Sequence, residues 1–163
     1  MKERLTDFFV ENLSFLPPEL IVIIISAMPI LELRGGIPVA AAFYEFTYYE
    51  AFIYGVIGNL LPILPILYFF RPISTFLMRF SLYKRFYDWL YKRTMKKSDK
   101  VEKYGAIGLI LFTAVPLPTT GAYSACLAAI LFFIPTRAAF IAIATGVLIA
   151  GLGITSFVYG LFG

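Results

Sequence analysis

The chain has 163 residues, of which 60% are hydrophobic and 15% are charged, and its mean hydropathy is +0.83. Because a soluble domain carries about 25% charged residues, this composition excludes that class and predicts a single all-α integral membrane domain. The one cysteine, Cys126, and the absence of histidine exclude an internal disulfide, a zinc site built from His and Cys, and a histidine proton relay.

Residues 1–16 carry apolar side chains at a helical period between charged ones, which predicts a short helix lying in the membrane interface. Acidic residues interrupt the pattern expected of a signal peptide. Pro17 and Pro18 are predicted to end this helix, because proline lacks the amide hydrogen that a helix interior requires.

Residues 20–49 predict a re-entrant helical hairpin, one that enters the membrane and returns to the same side. Residues 20–31 carry no charge, and as a helix they extend about 18 Å against a hydrocarbon core about 30 Å thick. A second short arm, residues 39–49, ends in aromatic and acidic side chains typical of the interface. The alternative interpretation is one long kinked span over the same residues.

The predicted tip of this hairpin, residues 29–38, holds two charges in apolar surroundings. An ionised group in a bilayer costs at least about 2.5 kcal/mol, so such residues pair, face a wet cavity or act in function. Prolines at both ends of the tip and two adjacent glycines predict a broken helix there. The charged residues and the glycines are Glu32, Arg34, Gly35 and Gly36.

Residues 51–70 carry no charge, are long enough to span the membrane once, and include Asn59, which could hydrogen-bond a hairpin tip. The block 72–103 has an apolar stripe at helical spacing and, together with Arg71, contains ten of the fourteen Lys and Arg residues. It predicts a basic amphipathic helix on the cytoplasmic membrane surface. Its role is either that of a topology anchor or that of a contact for acidic lipid headgroups.

Residues 104–134 carry no charge and are broken in the middle by Pro116 and the residues that follow it, which predicts a second re-entrant hairpin. A proline-kinked ordinary span is the alternative. Thr119 and Thr120 are predicted either to offer hydroxyl groups at this second tip or to cap a helix. Tyr123 either lines the same site or packs against its neighbours.

Residues 138–163 form the last uncharged stretch and predict a second full span. Each half of the chain then consists of a hairpin followed by a span, and Ala27 and Pro29 match Ala114 and Pro116 at an offset of 87 residues. Because a hairpin returns to its own side and a span crosses, the halves are predicted to be inverted repeats. In inverted-repeat transporters the substrate site lies near the midplane where broken helices meet, so a site between the two tips is expected.

At these tips the sequence resembles a known family. The segments 29–38 (PILELRGGIP), 58–62 (GNLLP) and 112–123 (FTAVPLPTTGAY) look like those of the small multidrug export protein family. The resemblance runs over most of the chain and implies a membrane exporter. It also implies a distant similarity in fold to the DedA family, whose members are implicated in moving polyprenyl phosphate or other lipids across the bilayer.

The predicted function is that of a small, proton-coupled secondary transporter or exporter. Loss of solvation favours the neutral form of a carboxylate, so Glu32 is the candidate for carrying the coupling proton. Arg34 suits a phosphate or carboxylate through its five donors. The alternative role for this pair is structural, each charge neutralising the other. The predicted substrate- or ion-binding residues are Glu32, Arg34, Gly35, Gly36, Asn59, Pro116, Thr119, Thr120 and Tyr123.

The sequence is also consistent with two other functions, that of a DedA-like flippase for polyprenyl phosphate or another phospholipid, and that of a membrane scaffold that transports nothing. The sequence shows no nucleophile with its base, no phosphate-binding glycine loop and no metal-ligand cluster, so we expect neither an enzyme nor a cofactor. The predicted partners are membrane lipids and a small-molecule or lipid-phosphate substrate, without nucleic acid. A chain with so few spans is also predicted to form a homodimer or larger homo-oligomer in the plasma membrane.

Overall fold

The computed structural model describes residues 15–69, 79–81, 84–85, 88, 98–115, 121–132 and 134–162. The regular secondary structure of these described residues is helical, without strands. The helices with defined bounds are α1 (Pro18–Ser26), α2 (Glu32–Phe43), α3 (Tyr48–Leu60), α4 (Ser98–Ala114), α5 (Ala122–Leu131) and α6 (Thr136–Phe162). The all-helical prediction is therefore confirmed for this part of the chain.

Two helical stretches are long and apolar enough to cross a membrane. They are Tyr48–Phe69, with 22 residues, and Thr136–Leu161, with 26 residues. Both fall within a few residues of the stretches predicted as spans, 51–70 and 138–163. Each extends at least about 30 Å at 1.5 Å per residue, which matches the hydrocarbon thickness of a bilayer.

The chain divides into two compact units. The first unit comprises residues 1–62 and 147–163, and the second comprises residues 63–146. The first unit therefore holds α1, α2, α3 and the end of α6, whereas the second holds α4, α5 and the beginning of α6.

In the first unit, α1, α2 and α3 pack against one another pairwise. α1 begins with Pro18, whose fixed φ and missing N–H suit the first helical turn. It ends at Ser26, where the Ala27 N–H bonds back to the carbonyls of Ile23 and Ile24. The connecting residues 27–31 then lead into α2, whose first N–H, on Glu32, donates to the Met28 carbonyl at 2.9 Å.

The break between the two arms is shorter than the sequence predicts. We expected irregular backbone over residues 29–38, but α2 is already helical from Glu32 and contains Pro38 within its length. No described glycine adopts a φ in the left-handed region. The predicted broken helix was therefore wrong for residues 32–38. Gly35 and Gly36 allow close packing there and do not form a turn.

A small apolar cluster stabilises the hairpin of α1 and α2. Its buried members are Ile21, Ile25, Leu31 and Val39, with Leu16, Met28 and Tyr44 packed against them. These side chains come from both helices and from the turn between them, so their burial holds the two arms together. Each fully buried side chain of this kind contributes about 1.5–3 kcal/mol in water.

α3 begins with a capping box. The Thr47 side chain accepts a hydrogen bond from the Glu50 N–H, and Glu50 Oε2 accepts from the Thr47 N–H at 2.8 Å. The Thr47 hydroxyl also donates to the same carboxylate oxygen at 2.8 Å. These bonds satisfy amide groups that the first helical turn leaves without intrahelical partners.

In the second unit, α4 packs against α5. α4 continues without a break through residues 103 and 104, where the sequence places the end of the basic helix and the start of the second hairpin. The change from charged to uncharged residues therefore falls inside a helix and does not end it. A Cβ on Gly146 of α6 would lie 2.5 Å from Thr113 Cβ, so α6 passes very close to α4 there.

Several predicted features lie outside the described residues. They include the interfacial helix 1–16, apart from its last two residues, and most of the basic block 72–103. The tip of the second hairpin, residues 116–120, lies outside them as well. The re-entrant course of both hairpins and the inverted repeat remain predictions.

Candidate functional site

The structure places five of the predicted site residues in the first unit. Four of them lie in the first two turns of α2, and Asn59 lies near the end of α3. Pro116, Thr119 and Thr120 lie outside the described residues. Tyr123 is partly buried in α5 of the second unit. The candidate site is therefore built here from α1, α2 and α3.

Glu32 is buried and has an unusual backbone. Its side chain is 9% exposed, and its φ is +50°, in the left-handed region that non-glycine residues rarely adopt. Such a conformation costs about 1–3 kcal/mol and persists only where surrounding contacts impose it, often at functional sites. A carboxylate is thus held at the first position of α2 by the turn that precedes it.

Arg34 lies two residues after Glu32 and is partly buried. The first turn of α2 therefore carries both a carboxyl group and a guanidinium group.

The face of α2 that carries Gly36 packs closely against α1. A Cβ on Gly36 would collide with Ser26 Oγ and would lie 3.0 Å from Ser26 Cβ and 3.2 Å from the Val22 carbonyl oxygen. Gly35 is constrained within its own chain segment, because a Cβ there would lie 2.7 Å from Leu31 Cβ. Glycine at position 36 allows the backbones of α1 and α2 to approach more closely than any side chain permits.

α3 packs against α1 and α2 through two further glycines. A Cβ on Gly58 would lie 2.8 Å from Ser26 Cβ and 2.9 Å from Ile23 Cα, on α1. A Cβ on Gly55 would lie 2.8 Å from Ile37 Cγ1 and 3.3 Å from Leu33 Cδ2, on α2. Ser26 is therefore enclosed between a glycine of α2 and a glycine of α3.

Asn59 lies at the same end of the three-helix unit as Glu32. It is one turn beyond Gly55, which packs against Leu33 and Ile37. α2 and α3 are joined by the short connection 44–47 and pack together, so they run antiparallel. One turn further along α3 therefore corresponds to the first turn of α2, where Glu32 lies.

Two buried oxygen atoms in this region stand out. Ser26 Oγ and Asn59 Oδ1 have no hydrogen-bond partner within the described part of the chain. Ser26 is 0% exposed and Asn59 is 2% exposed. Buried side-chain polar atoms nearly always have a partner in proteins, so these two atoms mark a polar position inside an apolar bundle.

Sequence reasoning missed Ser26, Gly55 and Gly58. Ser26 is the only hydroxyl-bearing residue in the uncharged stretch 20–31, and that isolation was the signal available.

The sequence Thr47-Tyr-Tyr-Glu50 was interpreted as an interfacial border, although a Thr followed three residues later by Glu before an apolar run also predicts a capping box.

Aromatic side chains group around the connection between α2 and α3, away from Glu32. Phe46 lies 5.7 Å from Tyr54 between ring centroids, and Tyr48 lies 5.7 Å from Tyr159 of α6. The Tyr159 hydroxyl donates to the Phe46 carbonyl. Burial raises the pKa of the Tyr44 phenol above its ordinary value.

Metal-binding side chains do not cluster in this site. Over the residues that the structure describes, no group of three or more His, Cys, Asp or Glu side chains is close enough to hold a metal ion. The site thus consists of one buried carboxylate, two buried neutral oxygens and a guanidinium group in the same turn of α2 as the carboxylate.

The apolar helices, the buried charge and the close helix packing define a helical membrane protein. The chain belongs to the family described as "Putative small multi-drug export protein", whose model matches residues 32–152. The match starts at Glu32 and includes Arg34, both glycines of the first turns of α2 and Asn59. The resemblance noted in the sequence is thereby confirmed for this family.

No curated protein and no solved structure is significantly similar to the chain. The similarity in fold to the DedA family therefore stays a prediction.

Proposed function

We propose that this protein is a small secondary exporter of the plasma membrane in which Glu32 carries the coupling proton. One observation supports this role above the others. Glu32 is a buried carboxylate with a left-handed φ, at the start of a helix in a family of membrane exporters. Strained conformations of this kind occur at functional sites more often than elsewhere.

The chemistry of a buried carboxylate suits proton coupling. Burial disfavours the charged form of a carboxyl group, whereas a nearby cation or a polar cavity favours it. A change of surroundings between two conformations of the carrier would therefore shift Glu32 between its neutral and charged forms. Intramembrane acidic residues form proton relays in pumps and transporters for the same reason.

Arg34 is the proposed contact for the substrate or its headgroup. Its guanidinium group offers five hydrogen-bond donors in a planar arrangement. The first turn of α2 also contributes a positive helix-dipole end. Anionic groups on a substrate or on a neighbouring lipid would be attracted to this part of the helix.

A proteoliposome assay tests the role of Glu32. The purified chain is reconstituted with the pH dye pyranine inside, a proton gradient is imposed, and ethidium is added as the transport probe. Wild-type protein is expected to couple ethidium movement to proton flux, and Glu32→Gln to lose the coupled flux. Glu45→Gln is the matched control, because it neutralises an exposed glutamate that also has a φ of +50°.

Loss of coupled flux in both variants would show only that the protein is sensitive to charge. Equal flux in the wild type and in Glu32→Gln would overturn the proposed role of Glu32. Circular dichroism of each reconstituted variant shows whether the helices are intact before flux is compared.

A flippase for a phosphate-bearing lipid is the second candidate, and the position of Arg34 near buried Glu32 favours it. Native mass spectrometry of gently purified wild type and Arg34→Ala distinguishes the two functions. A phosphate lipid retained by the wild type and lost from the variant would support the flippase. Retention of bulk lipid by both proteins would favour export of a soluble or drug-like solute.

A further inference from the structure

The two buried oxygens without hydrogen-bond partners call for a ligand. A buried polar atom that lacks a partner costs about 1–3 kcal/mol, and Ser26 Oγ and Asn59 Oδ1 lie at the same end of one three-helix unit. No polar group of the described chain offsets that cost. A small polar species between the helices would do so.

The chemistry of the two atoms restricts what that species can be. Asn59 Oδ1 is a carbonyl oxygen and can only accept hydrogen bonds or coordinate a cation, whereas the Ser26 hydroxyl can donate one hydrogen bond as well as accept. The Asn59 oxygen repels an anion. A species that contacts both oxygens is therefore either a cation or a neutral donor such as water.

The dipole of α1 favours the cation. α1 ends at Ser26, and the C-terminal end of a helix carries about half a negative charge. The N-terminal end of α2 has the opposite effect, but it falls off within the first turn. Ser26 packs against Gly36, the fifth residue of α2, which lies beyond that turn.

We propose that Ser26 Oγ and Asn59 Oδ1 are ligands of a dehydrated sodium ion bound at the end of α1. Hard cations prefer oxygen ligands, and in membrane transporters the C-terminal ends of interrupted helices coordinate Na⁺. Within the proposed export function, which this role presupposes, sodium shares in the coupling. The binding itself is testable in protein that transports nothing.

Unfolding measurements on the full chain in detergent test the site with sodium itself as the probe. Sodium chloride is titrated against choline chloride at constant ionic strength, and the thermal midpoint is followed by circular dichroism. A ligand that binds the folded state raises the midpoint with concentration. We expect a rise in sodium that exceeds the rise in potassium and is absent in choline.

Two variants remove the proposed ligands one at a time. Ser26→Ala deletes one oxygen without adding bulk, and Asn59→Leu replaces the amide by an apolar group of similar size. A hydrogen bond or contact to a charged group contributes about 1.5–3 kcal/mol. Each of these two variants should therefore weaken the affinity for sodium roughly tenfold to a hundredfold. Asn59→Asp keeps an oxygen in place and adds charge, so it should bind sodium more tightly.

Thr155→Val is the matched control. Thr155 is also fully buried in the first unit, but its hydroxyl donates to the Gly151 carbonyl at 2.7 Å. Valine removes that hydroxyl with almost no change in volume. The sodium response of this variant should equal that of the wild type.

Three results would overturn the sodium site. The first is a wild type whose thermal midpoint is the same in sodium as in choline. A higher midpoint in Ser26→Ala would then indicate only an unsatisfied hydroxyl or a bound water. The second is a sodium response that survives in both Ser26→Ala and Asn59→Leu. The third result applies if Asn59→Leu does not fold. An Asn59→Asp variant that binds sodium no more tightly than the wild type would then overturn the site. An intact Glu32-dependent flux beside any of these results would leave the proposed function standing.

Discussion

Ser26 Cβ lies 3.0 Å from the position that a Cβ would take on Gly36, and the Ser26 hydroxyl lies closer still. This pair sets the separation of α1 and α2. It also explains why a glycine occurs at a position where the backbone is ordinary right-handed helix.

Gly36→Ala is expected to destabilise the protein by about 1–3 kcal/mol, because the added methyl group overpacks the contact with Ser26 and with the Val22 carbonyl. Unfolding in detergent, followed by circular dichroism, measures the change. Gly153→Ala is the control, since a Cβ there meets nothing within 4 Å. Equal stability of the two variants would show that α1 and α2 can separate without cost.

Glu45→Gly is expected to stabilise the protein by up to about 1 kcal/mol. Glu45 is exposed and has a φ of +50°, a conformation that costs an L-residue roughly 1–2 kcal/mol and glycine almost nothing. Glycine's larger entropy in the unfolded chain offsets part of the gain. Glu45→Gln keeps the backbone cost and removes the charge, so a similar gain in that variant would attribute the effect to charge instead.

Tyr159→Phe and Tyr48→Phe should each lower stability by about 1 kcal/mol, the usual net contribution of one hydrogen bond. The Tyr159 hydroxyl donates to the Phe46 carbonyl, and the Tyr48 hydroxyl lies 2.9 Å from Ser156 Oγ. Both bonds hold the end of α6 against the connection between α2 and α3. Tyr49→Phe, at a ring that is 74% exposed, should leave the unfolding midpoint unchanged.

Thr47→Ala is expected to cost about 1 kcal/mol, because the first turn of α3 loses its capping hydroxyl. Thr47→Ser keeps an oxygen at the same position and should restore most of that stability. Thermal unfolding of the three proteins gives the comparison. A serine variant as unstable as the alanine variant would indicate that the threonine methyl group, rather than the cap, is what matters.

Cysteine labelling tests the re-entrant course of α1 and α2. With Cys126 replaced by alanine, single cysteines at Phe15 and Glu45 lie at the two outer ends of the hairpin, and both positions are exposed. A membrane-impermeant maleimide should label both from the same side of oriented vesicles. Labelling from opposite sides would establish the alternative, a single kinked span.

The spanning helices could be predicted from the sequence because uncharged length is a direct requirement of the bilayer. The start of α2 could not, since Gly35, Gly36 and Pro38 together are typical of a broken helix. In the structure the two glycines allow close contacts, and proline is tolerated inside α2. Local sequence does not distinguish a glycine needed for its backbone from one needed for its missing side chain.

The candidate site was predicted in part for a similar reason. Glu32 and Arg34 are visible in the sequence as charges among apolar residues, and Asn59 as an amide within a span. Ser26 is not visible in this way, because a lone serine in a membrane helix usually bonds to its own backbone. Its importance follows from two glycines that approach it from different helices, which is a property of tertiary packing.

The shortness of α1 and α2 has a consequence for biogenesis. At about 14 Å and 18 Å, neither arm matches the hydrocarbon core of about 30 Å by itself, and the close contacts of Ser26 with Gly36 and Gly58 form only when all three helices are present. We therefore expect residues 18–60 to enter the membrane together, after α3 has been synthesised, rather than one helix at a time.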